Sequence, residues 1–498
     1  MQTLDANIFD VLIIGAGISG IGCACHLTRE LPGKTWAILE AREDLGGTWD
    51  LFKYPGIRSD SDLHTFSYEF KPWPSPNAIA SGDEIMAYLR ETADEYGVTD
   101  AIHYSHRVVS ADWDSQEGLW TLGVQTPSGL IRAKCRWVFS ATGYYDYEEA
   151  FRPDFPGEDA FNGEVIHPQF WPEGYDYTGK RVAVIGSGAT AITLIPAMAD
   201  KAAHITQVQR TPSYVMPRPK QDRLAKLLKS VLPPKLAHSA TRWKNTRVQR
   251  YFYLYCQRFP DRARNLIRKL NEKRLPEDYP VDVHFNPPYN PWDQRLCASP
   301  DGDFFDVLKS GKASVFTGKI DQFEPNGLRM TSGDFIEADT VIVATGLKLK
   351  MLGGIPLHVD GEPVDVPSAF VFRGMMLSGV PNFAFSIGYT NSSWTLKVDI
   401  LCKYLCKLLG VMDAEGKTKC VAKAPDGGME ARPLLDFSAG YVQRAINELP
   451  KQGAGYPWQM TLDYTADRRS LRNRSVLDPA LILSELKTAP TTKPAEAA

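Results

Sequence analysis

Several absences narrow the possibilities before any motif is read. The eight cysteines include no Cys-x-x-Cys pair, and none falls between Cys25 and Cys135. Cys23/Cys25 and Cys402/Cys406 therefore read as small residues on helices rather than as ligands or bridges, the pattern of reduced thiols in a cytoplasmic protein, and no metal site is expected. Net charge is nearly absent as well, −3 over 498 residues. Nothing global points to a nucleic-acid partner. No apolar run is long enough to span a bilayer. The N-terminal stretch "VLIIGAGISGIGCACHL" is apolar, but it follows Asp5 and Asp10 instead of a basic leader and carries a tight glycine pattern, against a signal peptide.

The chain is long enough for two or three domains with buried cores. Two of its parts echo each other. "FDVLIIGAGISGIGCACHL" is an apolar strand, a glycine turn and a helix start, and "KRVAVIGSGATAITLIPAMA" repeats that order near residue 180. Each is followed by an apolar strand ending in Ala-Thr-Gly, at Ala141–Gly143 and Ala344–Gly346. The fold class expected is α/β: two Rossmann-like dinucleotide-binding domains with a helical insertion in the second. Between Pro217 and Leu275 the chain reads helical and basic, with 17 Lys/Arg against three Asp/Glu. That block is expected to be a solvated insertion, with contact to anionic lipid or a phosphate-bearing partner as the alternative. The closing "TAPTTKPAEAA" has the composition of a disordered tail.

Gly15-Ala-Gly17-Ile-Ser-Gly20 lies between strand and helix. Gly15 permits the tight turn, Gly17 lets the backbone approach a pyrophosphate, and Gly20 lets helix and strand pack closely. The next strand ends in Glu40, twenty residues after Gly20, where a carboxylate can accept from ribose hydroxyls. The following segment, "AREDLGGTWDLFKYPGIRSDSD", is similar to one in flavoprotein disulfide reductases, but Trp49 stands where their redox cysteine pair would be. The nucleotide is expected to be FAD, with its electrons sent elsewhere than to a disulfide. In the second loop, Gly186-Ser187-Gly188-Ala189-Thr190-Ala191, alanine replaces the third glycine. The strand after it ends in Arg210 and Thr211 instead of an acid, which suits a 2′-phosphate and predicts NADPH over NADH.

"FNGEVIHPQFWP" fits the pattern FxGxxxHxxxWP through Phe161, Gly163, His167, Trp171 and Pro172. A second segment fits GxWxxxxYPGxxxD through Gly47, Trp49, Tyr54, Pro55, Gly56 and Asp60. With both glycine loops in order, the chain resembles the type I Baeyer–Villiger monooxygenases over nearly its whole length. It is most similar to their ethionamide-activating subgroup, through "GGTWDLFKYPGIRSDSD", "YNPWDQRLC" and "GYTNSSWTLK". The resemblance implies hydride transfer from NADPH to FAD, addition of O2 at flavin C4a, and attack of the peroxyflavin on a ketone to give an ester or lactone. It implies Arg295 as the catalytic arginine, oriented by Asp60, with His167 an organiser of nicotinamide binding and domain motion. Ser19, Glu40, Thr48, Trp49, Asp50, Leu51, Asp60 and Val108 are carried over as FAD contacts. Arg58, Ser59, Asp60, the loop Gly186 to Ala191, Arg210 and Thr211 are carried over as NADP contacts.

Gln294 departs from the family's usual lysine before the catalytic arginine, which weakens the 2′-phosphate contact and narrows the margin over NADH. The expected organisation is 1–145 and 381–487 for FAD, 151–215 and 293–380 for NADP, 216–292 for the basic insertion and 488–498 for the tail. The substrate is expected to be an aliphatic or aryl ketone or a thioether, with O2, and sulfoxidation including thioamides as a side activity; peripheral membrane contact through the insertion is the alternative to its being solvated. Two other readings compete. One is a flavin-containing monooxygenase oxidising N or S atoms. The other is a non-catalytic nucleotide-binding flavoprotein acting through a partner or membrane.

Overall fold

The computed structural model describes residues 4–435 and 437–485, so the proposed tail at 488–498 lies outside the described residues. Two sheets organise the chain. In the first, the strand Ile8–Ile14 pairs in parallel with Trp36–Leu39 on one side and Gly129–Ser140 on the other. Val11, Leu12 and Ile13 are fully buried, on both faces of the sheet, so the strand reads as an unbroken apolar run rather than an alternating one. Burying each contributes about 1.5–3 kcal/mol. Beyond Gly129–Ser140 the sheet turns antiparallel through Leu119–Thr126 and Arg107–Asp114. Phe383–Phe385 returns from far along the chain to pair in parallel with the same strand, Phe383 opposite Val138 and Phe385 opposite Ser140. These two phenylalanines are 1% exposed, which makes them core rather than pocket lining.

The second sheet is all parallel, in the order Ala313–Thr317, His204–Gln209, Arg181–Ile185, Thr340–Val343, Glu164–Ile166. The internal echo in the sequence has a backbone counterpart. Ala141 N donates to Ile14 O and Ala344 N to Ile185 O, each at 2.8 Å. Each Ala-Thr-Gly segment thus closes over the start of a glycine loop.

The segment "GYTNSSWTLK" leads into a helix, Trp394–Ala414, that packs along Ile18–Glu30. All eight cysteines are buried and free.

The basic block folds into the helices Arg223–Val231, Pro234–Arg258 and Pro260–Glu272. Asp222 caps the first, accepting from Ala225 N at 2.9 Å, and the other two open on proline, whose missing N–H costs a helix nothing in its first turn. The block is not simply solvated. Buried Arg242 donates to the carbonyls of Thr65 and Ser67 and pairs with Asp399 at 2.8 Å, and Asn245 donates to Asp62 at 3.0 Å. The long helix is thereby tied to segments flanking the first sheet. Among the described residues no helix is long and apolar enough to cross a membrane.

Candidate functional site

Both glycine loops end in helices whose first turn is left open. Gly17 and Gly188 are the cap residues of Ile18–Glu30 and Ala189–Met198, neither helix has a side-chain cap, and neither carries an acid in its first turn. The unpaired N–H groups and the positive end of each helix are therefore available to a phosphate. The glycines have distinct reasons. Gly15 has φ +101°, and a Cβ there would lie 2.9 Å from Ala141 O; Gly186 has φ +140°, with Ala344 O at 2.3 Å. A Cβ on Gly20 would fall 1.9 Å from Gly15 O, whereas at Gly188 nothing lies within 4 Å. The first loop needs its third glycine, and the second leaves open space where a pyrophosphate approaches. These cradles fit two dinucleotides.

Glu40 is buried and accepts from Ala16 N at 2.6 Å and Arg42 N at 2.9 Å, so its carboxylate braces the first loop. Burial raises its pKa, against the pull of these two amides. Gly47 begins the turn Thr48–Leu51 at φ +57° and approaches Gly17, while the Thr48 hydroxyl lies 2.9 Å from Tyr147 OH. Trp49 packs edge-on to Phe66 at 5.8 Å. Burial opposes the charge on Asp50, but Arg42 at 2.6 Å and Lys53 at 3.2 Å outweigh it and hold the carboxyl below its ordinary value. Leu51, half-buried, packs into the core cluster of the second sheet. Val108 is buried two residues beyond His106, whose amide donates to Glu40 O at 2.8 Å. Ser19 accepts from Trp394 Nε1 at 2.8 Å, which brings the start of the C-terminal helix onto the first loop.

The two halves meet through the Tyr-Pro-Gly turn. A Cβ on Gly56 would lie 2.4 Å from Ala197 Cβ and 3.1 Å from Thr193 O, so only glycine lets this turn of the first half lie on the helix of the second loop. Just beyond it, Asp60 Oδ2 stands 3.6 Å from Arg295 Nη1, each side chain about a third exposed. Arg295 precedes Cys297, whose thiol contacts the Ser187 carbonyl at 3.8 Å. The ion pair therefore joins the first-loop half to the second-loop half. Burial works against the Arg295 charge, and the Asp60 carboxylate beside it favours that charge, so the guanidinium stays protonated. Burial also raises the phenols of Tyr144, Tyr145 and Tyr441 around it; Tyr145 is pushed up to about 12. They remain protonated donors at neutral pH. Arg295 Nε, Trp292 Nε1 and Tyr441 OH are all buried without a hydrogen-bond partner. The segment carrying Tyr441 is held to this loop by Ser438, whose Oγ donates to Asp293 O at 2.6 Å.

The fingerprint segment lies at the edge of the second sheet. Phe161 is buried edge-on to Phe323, and a Cβ on Gly163 would fall 2.2 Å from Asp339 O. His167 Nδ1 accepts from Gln169 N at 3.1 Å, while the Gln169 side chain donates to Asp146 O at 2.8 Å. Burial lowers the His167 pKa, with Arg152 adding to it against the Gly346 backbone, so the ring is neutral. Trp171 packs on Tyr175.

Some expected residues are occupied elsewhere. Arg58 is paired with Asp303, and the Ser59 hydroxyl donates to Ser61 O at 3.0 Å. Ser187 Oγ donates to Thr211 O and meets Ser213 Oγ, both at 2.9 Å, which brings the second loop against the strand end bearing exposed Arg210. Thr190 approaches the Tyr54 hydroxyl. Ala189 begins the helix and Ala191 is buried in it. The tyrosines around Arg295 had not been singled out from sequence. Tyr144 and Tyr145 directly follow the first Ala-Thr-Gly, a usable signal; Tyr441 had none. A depression of about 340 Å³ beside Glu30, Glu69 and Lys403 contains none of these residues.

Comparison with known proteins decides the family. The chain is 46% identical over 473 residues to the FAD-containing monooxygenase EthA of Mycobacterium tuberculosis, covering 95% of this chain and 97% of that one. It is 47% identical over 482 residues to the probable FAD-binding monooxygenase AlmA of Acinetobacter baylyi, covering 95% of each. The chain belongs to the FAD-containing monooxygenases. Residues 12–251 also match the pyridine nucleotide-disulphide oxidoreductase model, although this chain has buried cysteines and no redox pair beside its first loop. The fold is shared with a steroid monooxygenase bound to NADP, at 21% identity and TM-score 0.74 over 96% of this chain and 100% of that one. It is shared equally with cyclohexanone-bound cyclohexanone monooxygenase, at 19% identity and TM-score 0.73 over the same shares. The Rossmann-like α/β expectation and the flavin monooxygenase assignment both hold.

Proposed function

We propose that this chain is an FAD- and NADPH-dependent Baeyer–Villiger monooxygenase that converts aliphatic or aryl ketones to esters or lactones, with oxidation of thioether or thioamide sulfur as a second activity of the same site. The observation that carries this is the Asp60–Arg295 pair, set between two open-ended glycine-loop helices and ringed by protonated tyrosines. The relatives named above support the flavin cofactor, and the structures with bound NADP and cyclohexanone support the coenzyme and the ketone class.

The first sheet with its C-terminal strand holds FAD, and the second holds NADPH. Bound FAD supplies hydride acceptance from NADPH and activation of O2. The protein's own part is electrostatic. A fixed guanidinium at Arg295 stabilises negative charge as it develops on the substrate carbonyl oxygen, and Asp60 keeps that guanidinium aimed. Tyr144, Tyr145 and Tyr441 offer further donors without changing charge. Arg210 and Thr211 receive the 2′-phosphate, with the neutral Gln294 amide assisting less than a lysine does. His167, neutral beside Gly346, is a positioning residue between the fingerprint turn and the second sheet.

The test is aerobic incubation of FAD-loaded protein with NADPH and, in parallel, 2-octanone and methyl phenyl sulfide, with products identified by mass spectrometry under labelled O2. An ester carrying one labelled oxygen supports the proposal. Sulfoxide without any ester assigns the chain instead to N- or S-oxidation.

A further inference from the structure

We infer that the helical insertion is a docking surface for an anionic lipid bilayer. The long helix Pro234–Arg258 is bound to the rest of the protein mainly through the face carrying Arg242, Asn245 and Thr241, with Arg250 reaching round to Asp463 at 2.9 Å. Its opposite face carries Leu236, Trp243, Tyr251 and Leu254, which are 59%, 57%, 61% and 40% exposed. These positions fall within one stripe of an α-helix, about 27 Å long. The preceding helix packs against it and exposes Leu224, Leu227 and Val231, again at helical spacing. Its small inward residue is Ala225. A helix that hides alanine and exposes leucine has its apolar face turned to something outside the protein.

The cations identify the occupant. Arg223, Lys226, Lys235, Arg247, Arg258 and Arg262 are exposed around these stripes, and none has a carboxylate partner among the described residues. Arg247 lies over the Trp243 ring at 3.9 Å, and Arg258 and Arg262 lie over Phe259 at 5.4 and 5.2 Å. Exposed leucine with tryptophan, tyrosine and flanking arginine matches the bilayer interface, where ring and guanidinium lie at headgroup depth and aliphatic groups below. A symmetric contact with a second copy brings this cationic face against itself and is repelled. Nucleic acid leaves the exposed aliphatic stripe without a partner. The inner face of the same helix reaches the active loop, with Tyr253 packed on Trp292 at 6.0 Å, three residues before Arg295. Docking there places the cleft beside a reservoir of lipophilic substrate, whichever atom is oxidised.

The experiment sediments full-length, FAD-loaded protein with vesicles of equal parts phosphatidylglycerol and phosphatidylcholine, and with phosphatidylcholine alone, at low and high salt. Pelleting with the anionic vesicles that weakens with salt is expected. Each of Lys226→Glu and Arg247→Glu should lower partitioning at least about fivefold. Trp243→Ser should also lower it, and all three variants should keep FAD and the wild-type rate of NADPH oxidation. Absence of anionic-vesicle binding, or unchanged binding by the three variants, overturns the inference. Binding to an oligonucleotide but not to vesicles overturns it as well. So does a dimer in sedimentation velocity that these substitutions dissolve while vesicles bind neither form.

Discussion

Alanine placed at Gly20 and at Gly188 should have different consequences, because the third glycine of the first loop meets protein backbone whereas the second glycine of the second loop faces open space. At Gly20 the new methyl carbon falls 1.9 Å from the Gly15 carbonyl oxygen and 3.3 Å from Ile13 Cγ2. Carbon does not approach oxygen below 3.0 Å, so the start of the helix must move by about 1 Å away from the turn. Overpacking of this kind costs about 1–3 kcal/mol. If the shift falls on the phosphate cradle, FAD affinity drops by roughly fivefold to more than a hundredfold. At Gly188 no atom lies within 4 Å and the backbone is already extended, so Gly188→Ala should fold and retain FAD normally. Its methyl instead intrudes on the coenzyme, and the KM for NADPH should rise roughly tenfold while the flavin spectrum stays intact. The natural alanine at Ala191, buried in the second loop's helix, already shows that this loop accepts a Cβ at the position equivalent to Gly20. Flavin fluorescence titration of the apoprotein and steady-state kinetics read the two effects separately. Full FAD affinity in Gly20→Ala, or loss of FAD in Gly188→Ala, would refute the assignment of the loops.

Arg210→Ala removes an exposed cation from the expected 2′-phosphate site, and a charge-assisted contact of about 1.5–3 kcal/mol predicts a rise in KM of roughly tenfold to a hundredfold for NADPH and none for NADH. Equal changes with both coenzymes would show that Arg210 is an ordinary surface charge. His238, on the inner face of the long insertion helix, is pressed down to about 4 by burial, with the Arg242 charge adding to the effect. Its folded pKa lies below its ordinary 6.5, so the unfolded chain takes up the proton first and stability is lost as pH falls from about 6.5 towards 4. The full effect is on the order of 3 kcal/mol, and His64, shifted the same way, adds to it. Melting curves from pH 7.5 to 4.5 should be flatter on the acid side for His238→Gln than for wild type; parallel curves would contradict this.

Signals confined to a few consecutive residues were legible in the sequence. The strand–glycine–helix units and the Ala-Thr-Gly strand ends depend on local backbone geometry, and each was found where expected. The Asp60–Arg295 contact was reached only through the resemblance, since its partners are separated by the rest of the first FAD segment, the second glycine loop and the insertion. Tyr441 was invisible because a short helix near the C-terminus is docked on the Asp293 loop by contacts that leave no periodic trace. Charge in the insertion was plain, but which helix faces it buried was not. Helical spacing reveals an apolar stripe without saying whether protein or solvent meets it, and here Arg242 and Asn245 went inward while Trp243 and Tyr251 stayed out.

The most direct test compares wild type with Arg295→Ala in two readouts, the rate of flavin reduction by NADPH without oxygen and the yield of ester from 2-octanone with it. Loss of one stabiliser of developing oxyanion charge costs about 2.7–4 kcal/mol. Ester formation should therefore fall by roughly a hundredfold or more. Flavin reduction should stay within a few-fold of wild type, with NADPH now consumed to make hydrogen peroxide. Ester formed by Arg295→Ala at close to the wild-type rate would contradict the account.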